Sequence, residues 1–127
     1  MQSPLHDKSK AFAIRVIKMT QLLSERKKEF VLSKQILKSG TSIGANVRES
    51  KAAQSKPDFI SKLSIALKES YETEYWLELI HETGYIGRKG YISMKNDLEE
   101  LISMLSSSIQ TSKKGLHKTN NPITRNL

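Results

Sequence analysis

The feature that most constrains this chain is its periodicity. Apolar residues recur every three or four positions from one end to the other, and no stretch alternates apolar and polar residues as a half-buried strand does. Proline, the residue least compatible with helix interiors, stands only at positions 4, 57 and 122. The spacing predicts four helices. The first spans Leu5–Lys28, with Phe12, Val16, Met19 and Leu23 on one face. The second spans Ser33–Gln54, preceded by Leu32, with Ile36, Gly40, Ile43 and Val47 aligned. The third starts at "SKPD", where Ser55 or Lys56 suits the N-cap, Pro57 the first turn and Asp58 the positive helix end. Gly84 is expected to stop it in a left-handed cap. The fourth spans Arg88–Lys113, where Tyr91, Met94, Leu98, Leu101, Leu105 and Ser108 follow a heptad and Ile102 and Ile109 widen the stripe.

Short connections make consecutive helices antiparallel neighbours. The expectation is an all-α fold, an antiparallel up-down-up-down four-helix bundle over residues 1–113, with residues 114–127 a flexible basic C-terminal tail. At 127 residues the chain is one domain long. No apolar run approaches the ~20 residues of a membrane span. The first residues, "MQSPLHDKSK", lack the apolar segment of a secretory signal, so the expected location is cytoplasmic. With no cysteine, disulfides and thiolate metal sites are excluded.

Charge is distributed unevenly. Residues 1–56 hold 12 Lys/Arg against 4 Asp/Glu, residues 57–112 hold 5 against 9, and the last fifteen residues hold Lys113, Lys114, Lys118 and Arg125 with no acid. The formal net charge is +8. Such asymmetry fits a polyanion partner, or basic halves docking on acidic halves between subunits; the plain alternative is a solvated surface. Helix three is apolar around most of its circumference. Phe59, Leu63, Ala66, Ser70, Thr73, Leu77 and Ile80 form one stripe, Ile60, Leu67 and Tyr71 one flank, and Ile65, Trp76 and Leu79 the other. That is more apolar surface than one bundle face needs, and it points to self-association; the alternative is simply the most buried helix of a monomer.

"KSGTSIGAN" (Lys38–Asn46) has the small-residue look of a phosphate loop. It lacks the spacing, the lysine and the preceding strand of a Walker loop, and the Gly-x-Gly-x-x-Gly pattern is absent. Its place is a helix interior, with Gly40 on the core stripe and Gly44 beside it. Each glycine costs about 1 kcal/mol against alanine there, a cost that close approach of another helix or a large side chain offsets. Tyr71, Tyr75 and Trp76 are the candidate fillers.

His6, His81 and His117 are scattered and pair with no second ligand, so no metal site is expected and they read as surface residues. No serine sits in Gly-x-Ser-x-Gly. Glu49 on helix two and Glu69, Glu72 and Glu74 on helix three read as an inter-helix polar cluster or a solvated face rather than an acid–base pair; Glu69 and Glu72, if buried, have Asn46, Arg48 or Lys51 as available partners. No catalytic residue, metal or cofactor is therefore assigned. The basic residues carry the functional signal. Lys8, Arg15, Lys18 and Arg26 share a flank of helix one, closed by Lys27 and Lys28, and Lys34, Lys38 and Arg48 follow one side of helix two. Such stripes can track a phosphate backbone through charge and shape. No recognition-helix or RNA-binding signature accompanies them.

With these elements placed, the chain resembles the four-helix-bundle proteins encoded in intervening sequences of bacterial 23S ribosomal RNA genes, and is similar to the accessory protein of diversity-generating retroelements. The resemblance rests on "LSKQILKSG" (Leu32–Gly40), "TSIGANVRES" (Thr41–Ser50), "DFISKLSIALKESYETEYWLELI" (Asp58–Ile80) and "TGYI" (Thr83–Ile86), just over a third of the chain. Ile43, Asn46 and Glu49 match the family's "SI-x-x-N-x-x-E", and Ala66, Glu69, Glu72, Tyr75 and Trp76 match "ALKE-x-x-E-x-x-YW". Arg48 stands where the family often has a small residue. The resemblance implies a ring-like homopentamer, no established enzymatic activity, and nucleic-acid binding through basic surfaces. The expected function is thus a non-catalytic oligomeric bundle that binds RNA or DNA as an accessory or scaffold protein. The alternative is a protein-interaction scaffold.

Overall fold

The computed structural model describes residues 3–119, with side chains through Gly115. It is all-α: four helices, and no strand among the described residues. These are α1 (Pro4–Arg26), α2 (Val31–Ser50), α3 (Lys56–Glu82) and α4 (Arg88–Thr119). α4 continues past the expected stop at Lys113, so the first part of the expected tail is helical; residues 120–127 lie outside the described residues.

Local chemistry explains where the helices begin and end. Ser3 caps α1, its hydroxyl accepting the His6 amide (3.2 Å), with Pro4 in the first turn and Asp7 near the positive end. Ser55 caps α3 in the same way through the Asp58 amide (3.1 Å). α3 stops in a Schellman motif: Gly84 has φ +86°, its N–H donates to the His81 carbonyl, and the Tyr85 N–H donates to Ile80 (both 3.0 Å). The φ alone demands glycine there, since a Cβ would meet nothing within 4 Å.

The α1–α2 turn differs from the sequence reading. α1 ends at Arg26 rather than Lys28, Lys28 takes a left-handed conformation (φ 53°), and α2 starts at Val31 rather than Ser33. The reason is Glu29. Its carboxylate accepts from the amides of Val31 (3.0 Å), Leu32 (2.9 Å) and Ser33 (2.8 Å) and from the Ser33 hydroxyl (3.0 Å), closing the orphan donors of the first turn of α2. Burial by itself pushes the Glu29 carboxyl up, but these bonds outweigh it and hold the pKa below the ordinary carboxylate value. At its other end α2 stops at Ser50, earlier than Gln54.

The core lies where the stripes meet. Phe12, Val16 and Leu23 of α1, Ile36, Ile43 and Val47 of α2, Leu63, Leu77 and Ile80 of α3, and Leu98, Leu101 and Leu105 of α4 are all buried. Each helix packs on its chain neighbours, and α4 returns to α1, which makes a four-helix bundle. Between α2 and α3 the core is partly polar. The hydroxyls of Ser39 and Thr73 bond each other at 2.9 Å, and Thr73 donates to the Glu69 carbonyl (2.7 Å), so neither buried group goes unpaired.

The glycines do face a close neighbour, but it is not α3. A Cβ at Gly40 would stand 2.9 Å from a methyl of Val16, and one at Gly44 would stand 3.3 Å from the Ser9 carbonyl oxygen. The seam therefore admits α1. The expected fillers lie elsewhere: Tyr71 and Tyr75 are exposed and Trp76 is half-buried on α3.

Candidate nucleic-acid interface

The nine basic residues singled out in the sequence separate into three groups. Lys8 and Arg15 are engaged inside the fold. Lys8 Nζ pairs with Glu100 of α4. Arg15 pairs with Asp97 and also donates to the Ser93 hydroxyl (2.9 Å) and carbonyl (3.4 Å). Part of the basic-half, acidic-half asymmetry is thus answered within one chain, across the seam between α1 and α4. All four charged side chains are 39–49% exposed, so each pair is worth at most about 1 kcal/mol.

Arg48 makes a second group by itself. Its guanidinium lies 3.3 Å from Nε2 of His6, whose ring is buried rather than at the surface as expected. The third group comprises Lys18, Arg26, Lys27, Lys28, Lys34 and Lys38. All are exposed, and among the described residues none forms an ion pair with a carboxylate. Arg26, Lys27 and Lys28 occupy the end of α1 and its turn, and Lys34 lies in the first turn of α2. Lys18, Arg26 and Lys27 also line, with Arg15, a groove of about 410 Å³ floored by Met19, Leu22, Leu23, Tyr85, Ile86 and Met94.

The family-motif residues serve mostly structural ends. Gly40, Ile43 and Gly44 form the α1-facing seam. Asn46 donates to the Ser42 carbonyl of its own helix (2.9 Å). Glu49 finds Lys62 of α3 at 3.9 Å, a pairing the sequence did not suggest. Glu72 accepts weakly from the Trp76 indole (3.4 Å), and Trp76 meets Tyr75 at a tilt, 5.2 Å between ring centres. Burial, and next the neighbouring charge of Glu72, raise the Glu69 pKa above its ordinary value; Lys68 and Lys38 oppose the shift. His81 is half-buried, its ring stacked on Tyr91 at 4.3 Å and its Nδ1 directed to the Ile86 carbonyl (3.2 Å). His117 lies beyond the described side chains. Among the described residues no three potential ligands gather as a metal site, and no helix is long and apolar enough to cross a membrane.

Sequence reasoning missed Glu29 and the His6–Arg48 contact. An acidic residue just ahead of an apolar helix start was the available signal for the first, by the helix dipole. No local signal joins residues 6 and 48, which meet only when α1 and α2 pack.

The profile of the 23S rRNA-intervening sequence protein family matches residues 2–107. The chain belongs to this family. Among solved structures, a protein of unknown function from the S23 ribosomal protein family of Bacteroides thetaiotaomicron is similar over 83% of this chain and 97% of its own. The identity is 56% and the TM-score 0.82. No curated protein matches. Helices α1, α2 and α3, with the glycine seam and the aromatic end of α3, fall inside the matched span, and α4 runs beyond it.

Proposed function

We propose that the chain is a non-catalytic, oligomeric accessory or scaffold protein that binds RNA or DNA through its basic surfaces, in the cytoplasm. The observation that carries this reading is the third group of cations. Lys18, Arg26, Lys27, Lys28, Lys34 and Lys38 stand exposed on α1, α2 and their turn, and among the described residues none forms an ion pair with a carboxylate. Charges left open to solvent attract a phosphate backbone and release its counterions. Lys8 and Arg15 contribute less, because α4 already answers them. Glu29, Glu49 and Glu72 engage a helix end, a lysine and an indole of the same chain, which supports the non-catalytic reading.

The bundle is read as antiparallel, up-down-up-down. Three pairings support it: Gly40 meets Val16 while Gly44 meets Ser9, Ser39 meets Thr73 while Glu49 meets Lys62, and Lys8 meets Glu100 while Arg15 meets Asp97. In each, one helix climbs in number as its neighbour descends. Self-association is supported by α3, where Ile65, Tyr71 and Tyr75 remain exposed beside half-buried Trp76 and Leu79. Five subunits is the count the family resemblance implies. The same apolar side chains favour the second reading, a scaffold that docks proteins.

Binding of structured RNA and of duplex DNA across a salt series tests the main reading. Log affinity is expected to fall steeply with log salt, and removing Arg26, Lys34 and Lys38 together to lower the slope by about 2–3. Absence of binding at low salt leaves the protein-docking scaffold. Light scattering tests assembly, and a monomer at micromolar concentration refutes it.

A further inference from the structure

Arg48 and the glycine seam together form a site that the basic stripes do not account for. A pocket of about 410 Å³ opens where α1 crosses the small residues of α2, lined by His6, Lys10, Gly44, Ala45, Arg48 and Glu49 among others. Gly44 keeps α1 and α2 close: a Cβ there would press on the Ser9 backbone. The wall that results is low, made of Ala13, Gly44 and Ala45, and two cations stand at it, Lys10 from α1 and Arg48 from α2.

The state of Arg48 is what gives the pocket a chemistry. Its guanidinium can only donate, so the His6 Nε2 at 3.3 Å is the acceptor and the ring proton belongs on Nδ1. The His6 side chain is 5% exposed, and among the described residues its Nδ1 has no hydrogen-bond partner; Asp7 Oδ1 stands 3.6 Å away. A buried imidazole thus holds the arginine head without answering its charge. Among the described residues no carboxylate pairs with Arg48, and none pairs with Lys10. Glu49, which shares the pocket, has Lys62 at 3.9 Å as its own cation. An arginine fork with free donors, a nearby lysine and a wall of small residues is what a tetrahedral oxyanion needs: paired N–H donors, a second positive charge, and room to approach.

We propose that this pocket binds a phosphate group, with Arg48 and Lys10 as its ligands and His6 as the residue that positions the guanidinium. A backbone diester, a nucleotide monoester and free phosphate share this chemistry. In its diester form the inference rests on the nucleic-acid reading above and narrows it to one fixed contact point. The remaining basic residues then act as a diffuse field around it.

The test is a titration of the full chain with inorganic phosphate, followed by amide and histidine-ring NMR shifts and by calorimetry. Saturable shifts centred on His6, Lys10 and Arg48 are expected at millimolar phosphate. Arg48→Ala and Lys10→Ala, both at exposed positions, should each weaken binding by about tenfold or more, the usual loss for a charge-assisted contact, while Lys89→Ala leaves it unchanged. Arg48→Lys keeps the charge but loses the fork, and should recover only part of the affinity. Absence of saturation, or equal affinity in the Arg48→Ala protein, overturns the proposal. Two further arms identify the source: a short single-stranded RNA that displaces phosphate from Arg48 marks a diester site, and tighter binding of adenosine 5′-monophosphate with no displacement by RNA marks a monoester site. RNA binding without phosphate binding defeats the pocket alone. Phosphate binding at Arg48 without RNA binding defeats the nucleic-acid reading alone.

Discussion

Helix α1 has two neighbours and meets them in opposite ways. Against α2 it is held by shape: Val16 and the Ser9 backbone close on Gly40 and Gly44, leaving no room for a Cβ at normal distance. Against α4 it is held in part by charge, through Lys8–Glu100 and Arg15–Asp97, and the seam stays open enough for a groove between Met19, Leu22 and Met94. A shape-held seam cannot give without a steric cost. A charge-held seam with half-exposed partners can loosen at little cost and responds to salt. The rigid side of α1 therefore suits a fixed site and the open side an adaptable one.

Substitution at the glycine seam should break the contrast most severely. Gly40→Leu is expected to lower stability by about 3 kcal/mol or prevent folding, because Val16 is β-branched and cannot swing clear. Unchanged thermal melting would refute the close contact. The turn that sets α2 against α1 comes next. Glu29→Ala should cost about 1–2 kcal/mol in denaturant unfolding, the scale of a lost helix cap. Because the folded pKa of Glu29 lies below the unfolded one, its contribution is present above the unfolded value of about 4.3 and is lost as pH falls through the folded pKa. Acid titration of stability should accordingly show a loss in the wild type that the Glu29→Ala protein lacks. The charge-held seam should yield less. A double-mutant cycle on Arg15 and Asp97 should return a coupling below about 1 kcal/mol that shrinks in high salt. A coupling well above that, insensitive to salt, would erase the distinction between the two seams. Glu69→Gln should give the smallest effect, a gain below about 0.5 kcal/mol at neutral pH after solvent screening. Its raised pKa makes the ionised form a liability that sets in as pH rises through the carboxylate range, so the gain should vanish in acid.

Much of this arrangement was legible in the chain and some was not. The buried faces of all four helices follow from spacing, since Phe12, Ile36, Leu63 and Leu98 each fall on stripes that only a 3.6-residue period aligns. The caps at Ser55 and Gly84 were legible because their chemistry is local. The seam glycines were legible as a place of close approach, yet not as an approach by α1, because a stripe tells which side is buried and not which helix buries it. The same limit hid the fates of Lys8 and Arg15, whose partners lie far along the chain, and of His6, which counted as a surface residue until α2 covered it. The α1–α2 turn was misplaced for another reason. Lys27 and Lys28 read as good helix formers, while the carboxylate of Glu29 bound three amides ahead of it and pulled the start of α2 back to Val31.

That carboxylate also settles how the basic corner can attract an anion. The first turn of a helix ordinarily offers bare N–H groups and a positive end to a passing phosphate. In α2 this end is already occupied by a negative charge from the same chain. Attraction at the corner must then come from the side chains of Arg26, Lys27, Lys28 and Lys34 alone. Acetylating the three lysines would therefore remove most of the attraction there without touching a backbone contact, which makes the corner a surface whose grip can be set chemically while the fold beneath it stays the same.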